Sequence, residues 1–411
     1  MTDRPRLLLV ASGWQVFREY LLESIAAEYR VHLLHTVEPT WERPYLDGWT
    51  VVPSTIDGPA MAGLAKELHA PEPFAGVLCW DEGRIHATAH IAKALHLPNG
   101  DPDVIWRLRD KAQTRAALAG STVAQPRSVP VHDLAEAVAA AKVVGYPAVL
   151  KPRGLGASLG VVRVADEDEL RAGFAFTHDT KAPDPVRYNS SGPVLVEQCV
   201  IGEEISIDAV IRDGRVTPLF VGRKVVGFPP YAEEIGHYVD AGDPLLADPA
   251  ICRALQEAHT VLGFRDGWTH TEFMLTESGP SLIEVNGRLG GDLIPYLGRL
   301  ATGIDPGLVA AAASCGRDAG LTPDRQRVGG VRFFYVSDED TAIGSIRFHE
   351  AALPPQVHTA TVLATVGSVM SPPPKGTVWG RIAFAVAVAG TRAECARALD
   401  GAEQALECKP A

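Results

Sequence analysis

The sequence predicts a mixed α/β protein of several domains, opening on a doubly wound parallel sheet and closing on a smaller α+β piece. Three observations carry this expectation. Apolar strand runs alternate with amphipathic helical segments over about the first hundred residues, the pattern of βαβ units. A strand ending in lysine, a glycine-rich loop and a returning strand follow in residues 148–164 (AVLKPRGLGASLGVVRV). Two further apolar runs in residues 270–292 (HTEFMLTESGPSLIEVNGRLGGD) carry Glu272 and Glu284 on either side of a Ser-Gly-Pro turn. With 411 residues the chain exceeds one typical domain, so two or three domains or lobes are expected.

Composition narrows the class. Hydrophobic residues at 46% and charged residues at 21% suit a soluble globular protein. A formal charge of −12 argues against nucleic-acid binding, which needs a basic face. An anionic substrate stays compatible, because a local cluster of cations can reverse the field inside a cleft. The six cysteines (Cys79, Cys199, Cys252, Cys315, Cys395, Cys408) are scattered without a CxxC pair. That is neither a zinc spacing nor a disulfide framework, and it fits a reducing cytoplasm. The apolar run in MTDRPRLLLVASG is too short for a signal peptide or a membrane span. A cytoplasmic protein without nucleic-acid or membrane partners is expected.

Taken in order, residues 6–12 (RLLLVAS) read as a buried parallel strand and a small-residue turn, 15–29 as an amphipathic helix and 30–36 as a second strand. Residues 75–80 (AGVLCW) form another strand, with Asp81 and Glu82 at its carboxyl end read as a solvated loop pair, and 85–96 a helix. The first strand-turn lacks GxGxxG. The domain is therefore expected to supply one wall of a substrate site rather than to bind a dinucleotide. Residues 101–120 read as one helical segment bearing Lys111, with Arg115 one turn on. A helix over 133–144 stops at Gly145.

The next string sets Lys151 at a strand end and Gly154, Gly156, Ser158 and Gly160 in the loop 153–160 (RGLGASLG). Glycines let backbone N–H groups approach an anion, and the lysine adds a fixed positive charge. The return as a strand separates this hairpin from a Walker loop, which runs into a helix. A helix over 165–176 and a polar, mobile loop over 177–192 follow. Residues 193–216 (PVLVEQCVIGEEISIDAVIRDGRV) then read as a strand, a connector and a hairpin turning at Asp213-Gly214. Backbone groups beside Glu197 and Val200 could read the edge of a nucleotide base, and Glu204 could hold ribose hydroxyls.

In an extended strand alternate side chains share a face, so Glu284, Asn286 and Arg288 align and a neighbouring strand can add Glu272. Two carboxylates and an amide oxygen make a hard-oxygen site of the kind Mg²⁺ takes, with phosphate and water completing the octahedron. An ordinary hairpin with a polar solvent face would carry the same letters. Glu233, Glu234 and His237 read as part of a Pro- and Tyr-containing loop. A carboxylate there could pair with a substrate ammonium, and His237 could accept a proton. Gly290-Gly291-Asp292 could open a helix N-terminus near an anion. His270 reads as a neighbour of Glu272 or as a residue of the opposite strand face, Trp268 as core. Further on, a helix is expected over 308–315, strands over 328–336, 359–369 and 378–389, and a closing helix over 391–406. Arg332, preceded by Gly329-Gly330, could reach the active site, with an ordinary strand arginine the favoured reading.

The order and spacing of these elements resemble the ATP-grasp superfamily of carboxylate–amine ligases over roughly residues 105–300. The LKP strand with its glycine-rich hairpin, VEQCVIGEE as the hinge strand E-x-x-x-x-G-x-E, TEF and EVNGR each have a counterpart there. HTEF, EVNGRLGGDLIPYL and residues 227–241 (GFPPYAEEIGHYVDA) are most similar to bacterial L-amino-acid ligases that make dipeptides or related amides. The resemblance implies an N-terminal α/β domain over 1–105, a small ATP-grasp lobe over 106–195, a large lobe over 196–310 and a C-terminal α+β lobe over 311–411. It implies that Lys111 and Lys151 hold ATP phosphates beneath the loop of Gly154, Gly156 and Ser158. Glu197, Val200 and Glu204 would take adenine and ribose, and Glu272, Glu284 and Asn286 would hold Mg²⁺ or Mn²⁺. Arg288 would face the substrate carboxylate and the developing acyl phosphate, with Glu233, His237 and Gly291 lining the substrate.

The implied activity is ADP-forming joining of an amino acid or similar small carboxylate to an amine, as in dipeptide or secondary-metabolite biosynthesis. The resemblance also allows a homodimer. Two alternatives are a non-catalytic ATP-binding regulator and a formate- or bicarbonate-using enzyme. Against carboxylation, no biotin-carrier MKM motif is present.

Overall fold

A computed structural model of the chain describes residues 4–180 and 194–411. Most of the loop expected over 177–192 lies outside the described residues. The N-terminal unit holds β1 (Arg6–Val10), α1 (Gln15–Glu28), β2 (Arg30–His35), β3 (Gly48–Val51), α2 (Gly58–His69), β4 (Gly76–Leu78) and α3 (Ile85–Leu95). Its strands are parallel in the order β3-β2-β1-β4. Leu7, Leu8 and Val10 are fully buried, because helices cover a parallel sheet on both faces, and β1 accordingly reads as an unbroken apolar run. The β3–α2 unit was not legible from the sequence: β3 alternates between half-buried and exposed residues over only four positions.

Residues 101–120 form two helices, α4 (Pro102–Arg109) and α5 (Lys111–Leu118), instead of one segment. Asp110 between them is extended (φ −90°, ψ 101°), and its carboxylate accepts from the N–H groups of Ala112 and Gln113. An aspartate N-cap starts a new helix more favourably than it continues an old one. The break sets Lys111 at the first turn of α5, where its own N–H donates to Arg153 O at 3.2 Å.

The next unit comprises β5 (Ser128–Val131), α6 (Leu134–Val144), β6 (Ala148–Pro152), β7 (Val162–Val164), α7 (Glu167–Asp179) and β8 (Val194–Gln198). Its antiparallel sheet runs β5-β8-β6-β7. Both helices share one small core with it, through Ala137, Ala141, Leu150, Leu170 and Val196.

The chain continues as β9 (Glu203–Arg212), β10 (Arg215–Gly227), β11 (Glu233–Asp240), α8 (Pro249–Leu262), β12 (Gly267–Thr276), β13 (Gly279–Asn286), α9 (Ile294–Thr302) and α10 (Pro306–Ser314). It closes with β14 (Val328–Tyr335), β15 (Thr341–Phe348), β16 (Val357–Val362), β17 (Val369–Met370), β18 (Arg381–Ala389), α11 (Arg392–Ala405) and β19 (Leu406–Pro410). Eight of these strands make one antiparallel sheet, β13-β12-β9-β10-β11-β14-β18-β16, and three make a small one, β17-β15-β19. Residues 233–240, expected in a loop, are strand β11, paired with β10 on one side and β14 on the other. The Pro229, Pro230 and Tyr231 ahead of it carry the turn signal, but two flanking strands satisfy the backbone immediately afterwards. Among the described residues no helix is long and apolar enough to cross a membrane.

Candidate active site

Glu272 on β12 stands directly opposite Glu284 on β13, and His270 opposite Asn286. On the other flank β9 sets Ser206 beside Glu272 and Asp208 beside His270. One face of three strands thus gathers the acidic residues, as cross-strand alternation requires. Asn286, with its nitrogen turned toward the carboxylates, donates to Glu284 Oε1 (3.1 Å) and Glu82 Oε2 (3.2 Å). His270 lies on this same face, its Nε2 3.6 Å from Glu272 Oε1 and its Nδ1 3.1 Å from Asp208 Oδ2. Burial alone would lower its pKa, but Asp208 outweighs burial and raises it to about 9. Asp208 also accepts from Trp268 Nε1 and Gly290 N, each at 2.8 Å. The buried tryptophan therefore anchors the site as well as filling core.

Sequence reasoning missed the cation at the centre of this face. Lys224 on β10 puts Nζ 2.7 Å from Glu204, 3.0 Å from Glu234 and 3.0 Å from Glu272, with its side chain 2% exposed. Burial would lower its pKa, yet the three carboxylates raise it well above the ordinary value. Burial would likewise raise Glu272, but Lys224 and His270 hold it well below the usual carboxylate range. The available signal was a lysine inside the strand run GRKVVG, at hairpin spacing from Glu204.

Lys111 donates to Leu155 O (2.6 Å) in the glycine-rich loop and to Glu284 Oε1 (3.1 Å), so it ties the loop to the carboxylate pair. Lys151 lies 2.5 Å from Glu197 Oε2, and Arg115 Nε donates to Glu197 Oε1 at 3.0 Å. Burial lowers the Lys151 pKa. Burial would raise Glu197, but Lys151 and Arg115 pull it down to about 2. The Glu197 carboxylate is thus taken up in positioning Lys151. In the loop Ala157, Ser158 and Gly160 adopt left-handed backbone (φ 55°, 54° and 72°). At Gly160 a Cβ would also meet Pro152 Cγ at 2.8 Å.

These groups border a cavity of about 360 Å³ between the sheet β5-β8-β6-β7 and the eight-stranded sheet. Lys111, Lys151, Gly156, Ser158, Val200 and Glu204 line it, as do Glu272, Glu284, Asn286 and Arg288. Glu197 borders it too, whereas Gly154 is not among the lining residues.

A second cavity of about 490 Å³ lies alongside, and Arg288 and Ala157 line both. Arg288 Nε donates to Glu82 Oε2 at 2.6 Å, and Glu82 Oε1 is 3.2 Å from Arg109 Nε. Asp81 pairs with Arg84 at 2.5 Å. Asp81 and Glu82 both line this cavity, which corrects the expectation of a solvated pair: Arg109 and Arg288, from distant sequence, draw Glu82 inward, and Arg84, three residues on, holds Asp81. Gly291 and Asp292 line it as well. Asp292 accepts from Arg381 Nη1 (2.6 Å) and Nη2 (3.1 Å), and its Oδ2 is 3.0 Å from His237 Nε2. Burial would raise the Asp292 pKa, but Arg381 and His237 hold it far below the ordinary range. Arg332 faces elsewhere, pairing with Asp400 and Glu403.

Glu233 is buried and accepts from Tyr335 Oη at 3.0 Å. Burial pushes its pKa up from 4.5 to about 7. A carboxyl raised in the folded state stabilises the fold below the unfolded value and loses that contribution as pH rises through the folded one. Glu233→Gln is therefore expected to match the parent near pH 4.5 and to exceed it by up to about 3 kcal/mol above pH 7. Urea unfolding at both pH values checks this; a constant difference between the two proteins would refute it.

Residues 144–295 match the family model described as the ATP-grasp domain. The chain contains an ATP-grasp domain. The chain is 29% identical over 357 residues to the uncharacterized protein y4rH of Sinorhizobium fredii (strain NBRC 101917 / NGR234), covering 85% of this chain and 71% of that one. It is 29% identical over 237 residues to alanine–anticapsin ligase of Bacillus subtilis (strain 168), covering 53% of this chain and 48% of the ligase. The chain thus spans about half the length of that relative. The crystal structure of an L-amino acid ligase from Bacillus licheniformis superimposes with a TM-score of 0.80 over 100% of both chains at 23% identity. Its fold is the one the motifs implied: a parallel N-terminal sheet, ATP-grasp lobes and a C-terminal α+β region.

Proposed function

We propose that this ATP-grasp protein is an ATP-dependent, ADP-forming ligase that joins the carboxylate of an amino acid or similar small acid to an amine. The observation that carries the reading is the pair of adjoining cavities with Arg288 common to both. One has the lysines and carboxylates a magnesium nucleotide needs, and the other has room for small organic substrates. The ligases among its relatives support the same reaction class.

A carboxylate is a poor acyl donor because its leaving group would be oxide. One carboxylate oxygen attacks the γ-phosphorus of ATP and ADP departs; the amine then attacks the acyl carbon, and phosphate departs with the carboxylate oxygen. Positioning and charge neutralisation supply most of the acceleration in such transfers. Glu272 and Glu284 present hard oxygen donors on adjacent strands, and Asn286 would turn its amide oxygen to join them, a set that suits Mg²⁺ or Mn²⁺. Bound there, the metal would supply neutralisation of phosphate charge. Lys111 and Lys151, held by Glu284 and Glu197, would turn their remaining N–H groups to phosphate oxygens, and Lys224 would keep Glu204 and Glu272 in place. Glu204 and the backbone near Val200 would hold ribose and adenine. Gly156 and Ser158 would close over the phosphates and keep water from the acyl phosphate. Arg288, oriented by Glu82, would hold the reacting carboxylate and offset the tetrahedral oxyanion. Asp292, fixed by Arg381 and His237, would receive a substrate ammonium.

Phosphate release measured with ATP, Mg²⁺ and pools of amino acids tests this. Stimulation requiring both metal and a carboxylate–amine pair is expected. No stimulation by any pair would overturn the reading, and dependence on formate or bicarbonate would redirect it.

A further inference from the structure

The second cavity is amphipathic. Arg288, Glu82, Asp292 and Arg381 bring charge to its lining; Arg381 is only 5% exposed and takes both oxygens of Asp292. Trp14, Phe17, Trp80 and Trp379 add aromatic surface to the same lining. Trp14 follows the end of β1 and caps α1, whereas Trp379 precedes β18 in the C-terminal region. Their rings meet edge-on with centroids 4.9 Å apart, yet they remain 54% and 42% exposed. Two half-exposed tryptophans, brought together from opposite ends of the chain at a cavity mouth, offer apolar surface that a bound ring or aliphatic chain would cover.

Resting on the ligase reading above, we infer that this cavity selects an α-amino acid with an aromatic or long aliphatic side chain, its charged head toward Arg288 and Asp292 and its side chain against the exposed faces of the paired Trp14 and Trp379 rings. The C-terminal region thereby acts as a specificity element. A small or charged side chain would leave the tryptophans wet, or would bring a charge against apolar walls at a desolvation cost. Apolar pockets discriminate by about 10–200-fold per methylene, so a strong size preference follows.

The test is calorimetric binding of L-Phe, L-Leu, L-Ala, Gly and L-Asp to the full chain with Mg²⁺ and a non-hydrolysable ATP analogue. L-Phe or L-Leu is expected to bind at least tenfold tighter than L-Ala. Trp379→Ala should lower L-Phe affinity at least tenfold and L-Ala affinity far less, while Trp379→Phe should recover most of the loss; Trp14→Ala should act in the same direction. A preference for L-Ala or L-Asp, an equal loss for L-Phe and L-Ala in Trp379→Ala, or no amino-acid binding at all would overturn the inference. Intact, side-chain-selective binding without ADP release from any pair would overturn the ligase reading alone.

Discussion

Glu284→Gln should lower ADP formation by at least ~10²–10³-fold while leaving the fold intact. The glutamine keeps the shape of the side chain and one oxygen, so the place opposite Glu272 on β13 is retained. On the proposed reading, what disappears is one of two full negative charges that would face a divalent cation, and hard cations bind through charge as much as through donor count. Lys111 loses its ionic partner at 3.1 Å but keeps the carbonyl of Leu155 at 2.6 Å, so the glycine-rich loop stays anchored. ADP release and a thermal melt measured together decide the matter. Near-normal turnover would remove Glu284 from the metal site; a collapsed melt would make it structural.

Lys224→Met should be as damaging to turnover and far more damaging to stability. Lys224 is the cation shared by Glu204, Glu234 and Glu272 in a face almost closed to solvent. Removing one partner of a buried ionic cluster costs about 3–5 kcal/mol, because the remaining charges lose neutralisation without regaining water. Two controls separate this from a packing effect. The deficit should shrink as pH falls: Glu272, depressed in the parent by Lys224 and His270, gives stability above the unfolded carboxylate value that is lost on acidification, and the variant lacks the Lys224 share of that contribution. Mg²⁺ should also raise the melting temperature of the variant more than that of the parent, by replacing a missing positive charge. A deficit independent of both pH and Mg²⁺ would mean that Lys224 acts through its methylenes alone.

The residues legible in the sequence were those whose neighbours lie close in the chain. Glu284 and Asn286 share a face because strand alternation demands it. Glu272 joins them across one tight turn, and Lys151 precedes the glycine-rich loop it serves. Residues 101–120 failed at one position, where the capping preference of Asp110 overrode an otherwise helical pattern. Lys224 stayed hidden because its partners Glu234 and Glu272 lie on different strands. Glu82 read as solvated because Arg109 and Arg288 reach it from far along the chain.

By itself the sequence determined the fold class, the glycine-rich hairpin and the cross-strand carboxylate pair. Each is written in local periodicity, turn chemistry and short spacings. Only the tertiary structure decided that Glu197 positions Lys151, that Lys224 neutralises the acidic face, and that Trp14 and Trp379 share a cavity with Arg288. Those relations join residues tens to hundreds of positions apart, and side chains at such separations find one another through sheet pairing and domain packing, which no local pattern records.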